Sequence, residues 1–95
     1  MKSFAGKLTK AQQLNDLIRW HAENGHLLYR ESWDELARLY FIKYGEKIIP
    51  LWAKYRQENN TKTTISQYLE RSGIADKVIE ICIKMNMEVS NRIRR

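Results

Sequence analysis

One cysteine, one proline and four glycines are all this chain of 95 residues has of the residues that staple or break regular structure. A lone thiol, Cys82, excludes an internal disulfide and suits a reducing compartment. No apolar run approaches the roughly 18 residues of a membrane span. The opening MKSFAGKLTK lacks the apolar segment of a secretory signal, so cytoplasmic residence without a membrane partner is the expectation. So few glycines and prolines leave little for a strand-and-turn architecture. Internal repeats and low-complexity segments are also missing.

Acids are missing from both ends. Lys2, Lys7 and Lys10 stand in the first ten residues and Arg92, Arg94 and Arg95 in the last seven, with no carboxylate side chain among them. Those six account for the whole net charge of +6, because the 11 acids lie between them, among an equal number of bases. A basic balance invites a nucleic-acid reading, yet the body of the chain is formally neutral. The hydrophobic fraction of 43% with 29% charged residues is that of an ordinary globular domain. Ninety-five residues suffice for one domain with one modest core.

What is there reads as helix almost throughout. Thr9 and Gln12 form a capping box, followed by Leu14, Leu17, Ile18 and His21 on one stripe and Asn24-Gly25 as a left-handed stop. Ser32 and Glu35 predict the start of a second helix, with Asp34 and Glu35 suiting its positive end. Trp33, Leu36, Ala37, Tyr40 and Tyr44 make its inner face, which Leu39 and Phe41 widen, and Gly45 closes it. Pro50 fits the first turn of a third helix, which carries Leu51, Trp52 and Tyr55. Residues 59–64 form the clearest polar loop. Thr64 and Gln67 cap a short fourth helix with Ile65, Tyr68 and Leu69 inward, and Ser72-Gly73 breaks it. A fifth, from about residue 75 to about 91, has Val78, Ile79, Cys82, Met85 and Val89 on a period near 3.6, widened by Ile81 and Ile83. The expected fold is all-α, a small single-domain bundle of four to five helices with short loops and flexible basic tails at 1–8 and 92–95.

Three constellations could carry function. Residues 64–83 resemble a helix-turn-helix, with Gly73 at the turn and Ile74 and Ile79 at apolar positions. Against that, Leu69 stands where a small residue is usual, and the presumptive reading helix opens with Asp76 and Glu80. Lys77 is the sole base of its first two turns, and a plain helical hairpin is the competing reading. The basic ends, through Lys2, Lys7, Lys10, Arg92, Arg94 and Arg95, offer salt-sensitive and sequence-independent contacts to DNA. They would act as one patch if the termini converge.

The third constellation is aromatic. Seven of the ten aromatic residues fall between Tyr29 and Tyr55, interleaved with Arg30, Arg38, Lys43, Lys47, Lys54 and Arg56. Rings can simply fill a core, stack nucleobases or anchor a protein interface. The stripe on the second helix is broad for a small domain, so part of the segment is expected to stay exposed. Trp33, Tyr40, Tyr44, Trp52 and Tyr55 would supply desolvated area to a protein partner, and Arg38, Lys43, Lys54 and Arg56 its orientation.

Catalysis finds little support. His21, His26 and Cys82 lack zinc-site spacing, and both histidines read as surface or boundary residues. Cys82 sits on an apolar stripe, where it reads as a small buried hydrophobe. There is no phosphate-cradling glycine loop and no nucleophile elbow. The reading is a non-enzymatic regulatory or adaptor protein of the style of bacterial and phage regulators. It is expected to bind a protein partner, to form a homo-oligomer, and to need no cofactor, metal or small-molecule substrate. The alternative is a DNA-binding transcriptional regulator using residues 64–83 and Lys77 with the basic tails.

Overall fold

A computed structural model describes residues 8–93. Among them are five helices and no strand: α1 (Lys10–Gly25), α2 (Tyr29–Tyr44), α3 (Ile48–Asn59), α4 (Ile65–Arg71) and α5 (Ala75–Ile93). The chain is thus a small all-α bundle, as its helical periodicities predict.

The start signals of α1 and α4 are the two capping boxes, each closed both ways. The Thr9 hydroxyl accepts from the Gln12 amide at 3.1 Å while Gln12 Oε1 accepts from the Thr9 amide at 2.9 Å. Thr64 and Gln67 repeat this at 3.3 and 3.2 Å. Gly45 and Gly73 stand at φ 77° and 82°, the left-handed region where a Cβ is costly.

The core joins Leu14 and Ile18 of α1, Trp33, Leu36 and Tyr40 of α2, Ile48 of α3, Leu69 of α4 and the Val78–Met85 face of α5. The α1–α5 contact is the most extensive in the fold. These two helices run parallel. Lys10 meets Asp76 at one end, Leu17 O accepts from Asn86 Nδ2 at 3.1 Å midway, and Gly25 lies beside Val89 at the other end. By contrast α3 packs only against α2 and α4 and buries one residue, Ile48.

Several expectations need correction. Helix α2 starts at Tyr29, not Ser32: the Leu28 amide donates to the Glu31 carboxylate at 2.8 Å, closing the end a turn earlier. Ser32 is instead fully buried and bonded to His21 Nδ1 at 2.8 Å. His21 is therefore no boundary residue: it is only 4% exposed. Glu35 does not cap; it takes a two-point contact from Arg38, at 3.1 and 2.7 Å. The left-handed stop of α1 is His26 (φ 57°), with Gly25 still helical. Phe41 and Ile83 do not widen their stripes inward; both are 45% exposed. Finally, Arg92 belongs to the last turn of α5 rather than to a tail.

Candidate functional site

Trp52 organises a concavity between α2, α3 and the loop that follows α3. Its indole N–H donates to the carbonyl of Thr63 at 2.8 Å, pinning the polar loop 60–64 against α3. Thr63 itself is buried, and its hydroxyl shares a 2.9 Å bond with that of Thr61. The Arg56 guanidinium lies over the Trp52 ring, 4.9 Å from its centre, a cation–π placement. Tyr55, one residue back, turns the other way and packs against Tyr68, the rings tilted by 49° with centroids 5.1 Å apart. One helical turn thus sends Tyr55 into the α3–α4 contact and leaves Trp52 and Arg56 facing α2.

Across from them stand Tyr29, Arg30, Trp33 and Asp34 of α2. The space between is a groove of about 670 Å³, floored by Trp33, Trp52, Ile49 and Ile65 and rimmed by Arg30, Arg56, Lys62 and Asp34. Tyr29 makes an edge contact with Trp33 and donates its hydroxyl to Asn15 Oδ1 at 3.3 Å. The walls are therefore held from α1, α2, α3 and the loop. The volume falls within the roughly 300–1,000 Å³ common for pockets that seat compact ligands.

Only three of the nine residues expected at a partner surface reach this groove: Trp33, Trp52 and Arg56. Tyr40 is fully buried, and Tyr44 is half-buried beside it with centroids 4.7 Å apart. Desolvation, then the nearby Glu46 carboxylate, raise the Tyr40 phenol above its usual range. Tyr40 fills core and Tyr44 packs against it, on a helix that meets both α1 and α5. Trp33 is only 6% exposed. Arg38 is held by Glu35, Lys43 by Glu80 at 3.2 Å, and Lys54 lies 4.0 Å from Glu58. Missing from the sequence expectation are Lys62, Thr63 and Thr64, whose place beside Trp52 is set by the chain reversal after α3.

In the helix-turn-helix likeness Gly73 makes the turn, and Asp76, Lys77 and Glu80 at the start of α5 are exposed. Leu69 is fully buried in the core. Asp76 pairs with Lys10 at 2.7 Å, Glu80 pairs with Lys43, and Lys77 Nζ sits 5.0 Å from the centre of the Tyr44 ring. Of the basic ends, Lys2, Lys7, Arg94 and Arg95 lie outside the described residues. Lys10 and Arg92 sit at opposite ends of the parallel α1–α5 pair. Sixteen helical residues between the levels of Asp76 and Arg92 amount to about 24 Å. Lys10 and Arg92 are therefore well separated.

Of the other chemistry-bearing candidates, His26 is exposed and His21 and Cys82 are enclosed. Cys82 is fully buried and desolvation pushes its thiol up to about 12. No three His, Cys, Asp or Glu side chains gather among the described residues. No described helix is long and apolar enough to cross a membrane. Against protein-family models, curated proteins and solved structures the chain finds no match.

Proposed function

We propose that this protein is a small non-enzymatic adaptor that seats a segment of a partner protein in the groove between α2, α3 and the loop 60–64. The observation carrying this reading is the pinned Trp52. Its N–H is satisfied by Thr63 and its ring is flanked by Arg56, so the apolar floor exists before anything binds. A preformed floor spares a ligand the ordering cost that weakens association. A half-buried tryptophan with arginine over its ring is also the composition of interface hot spots.

The test places a photo-crosslinking residue at Lys62 on the rim and, separately, at Glu23 on the outer side of α1, and exposes each protein to host extract. A discrete protein adduct from Lys62 and none from Glu23 supports the reading. Adducts that are equal at both positions, or confined to nucleic acid, oppose it.

Self-association is the second part of the proposal, and its surface is the α1–α5 face. Leu8, Trp20, Ile83 and Met87 are exposed there around a shallow depression that Leu17 and Ile79 line. Asp16, the one ionised residue lining it, is paired with Arg19 at 3.3 Å, and on the same two helices Lys10 is paired with Asp76. A two-fold contact sets a patch against its own copy, which a patch of one sign would resist and this one does not. Light scattering should give a mass near twice 11.4 kDa. An Ile83→Ser, Met87→Ser variant should halve it. A parent protein that is monomeric at millimolar concentration would sink this part.

A further inference from the structure

Resting on the groove reading above, we infer that the segment seated there is acidic, with an aliphatic anchor between its carboxylates. The argument is one of unpaired charge. On α2 and α3, Arg38, Lys43 and Lys54 each have a carboxylate within reach. Arg30 and Arg56, on the same two helices but turned to the groove, have no described carboxylate within ion-pair distance, and nor does Lys62 on the facing loop. Three cations thus rim an apolar floor against one acid, Asp34. Arginine is suited to two-point recognition of carboxylate, and its charge persists at any physiological pH.

The floor selects the anchor. Trp33 is only 6% exposed and the half-buried Trp52 has Arg56 over its ring, which leaves a flat base little free face to stack on. Tyr29, at 45%, is the only lining ring with large exposure, whereas stacked single-strand binding uses successive free ring faces. A branched aliphatic side chain needs no such face. It can settle between Trp52, Ile49 and Ile65 while flanking carboxylates reach Arg30, Arg56 and Lys62. The hydroxyls of Thr63 and Thr64 are already spent within the loop and the α4 cap, so charge rather than neutral hydrogen bonding dominates the rim.

The experiment uses the full chain and three dye-labelled probes followed by anisotropy: a short synthetic peptide of leucine with glutamate and aspartate, the same peptide with lysine replacing every acid, and oligouridylate. The acidic peptide should bind at least tenfold tighter than the lysine peptide, and more weakly as salt rises. An Arg56→Glu, Lys62→Glu variant, both positions being exposed, should lose that binding at least tenfold and gain affinity for the lysine peptide. Its helical circular dichroism should match the parent. Equal binding of the two peptides would overturn the acidic inference and leave the groove as a protein-docking site. Oligouridylate binding lost in the variant, with neither peptide bound, would overturn both readings. Failure of all three probes would overturn the inference alone, the docking reading being judged by the Lys62 crosslink.

Discussion

His21 Nδ1 and Ser32 Oγ lie 2.8 Å apart with both side chains out of solvent, joining α1 to the first turns of α2. Burial lowers the His21 pKa below its ordinary 6.5, the nearby Glu35 and Glu88 acting against that and Arg92 with it. The unfolded chain therefore takes up a proton at a higher pH than the folded one. Stability should be complete above about pH 6.5 and fall as pH drops through the window below it, levelling off once the folded pKa is passed. Urea midpoints at pH 8 and pH 5.5 test this. In a His21→Gln variant the change across that interval should shrink.

Removing Ser32 leaves a buried imidazole nitrogen without its partner. Ser32→Ala should cost about 1–3 kcal/mol, the usual penalty for orphaning a buried polar atom. The measurement is equilibrium unfolding in urea at pH 8. A cost below a few tenths would show that the bond contributes nothing to the α1–α2 contact.

Two glycines should respond in opposite directions. Gly73→Ala forces a side chain to φ 82° and should destabilise by about 1–2 kcal/mol. Gly25 is helical, and a Cβ there would meet the Leu27 side chain at an ordinary 3.6 Å. Gly25→Ala should therefore stabilise by about 0.5–1 kcal/mol. Thermal unfolding of the pair decides it.

Trp52→Phe keeps a ring on the groove floor but deletes the donor to Thr63. Net loss should be about 0.5–1.5 kcal/mol. Hydrogen exchange in residues 60–64 should accelerate while α1 and α5 keep their protection. Uniform acceleration across the chain would mean that Trp52 supports the whole fold rather than the loop.

Cys82 should resist thiol reagents in the native state, since its thiol is buried and its pKa stands at about 12. Labelling by a disulfide reagent should proceed at the rate of unfolding and rise with urea. Fast labelling in buffer would show that α5 opens locally.

Much of the fold was legible because helix signals are local. Thr9 with Gln12, Thr64 with Gln67, Gly45 and Gly73 each act within a few residues, and all four sit where the pattern predicts. The failures are also local in form and tertiary in cause. Ser32 and Glu35 have the spacing of a capping box, but a buried histidine on α1 takes the hydroxyl and Arg38 takes the carboxylate. Leu28 and Glu31, with half the signal, close the helix instead.

The groove was legible only in part. Periodicity shows which residues share a helical face, so Trp33, Tyr40 and Tyr44 read together, as do Trp52 and Arg56. It does not show which face meets a neighbour. That is decided by how helices distant in sequence pack: α2 places Tyr40 in the core, and α3 contributes only Ile48 to it. So it is Trp52 with Arg56, and not Tyr40 or Tyr44, that remain beside open space, joined by Lys62 from a loop that carries no motif. The sequence by itself determined the helices and the placement of the net charge at the two ends. Tertiary structure alone decided that Lys10 and Arg92 stand at opposite ends of the parallel α1–α5 pair and that Arg30, Arg56 and Lys62 line the groove beside Trp52. Both depend on long-range contacts that no short stretch of chain encodes.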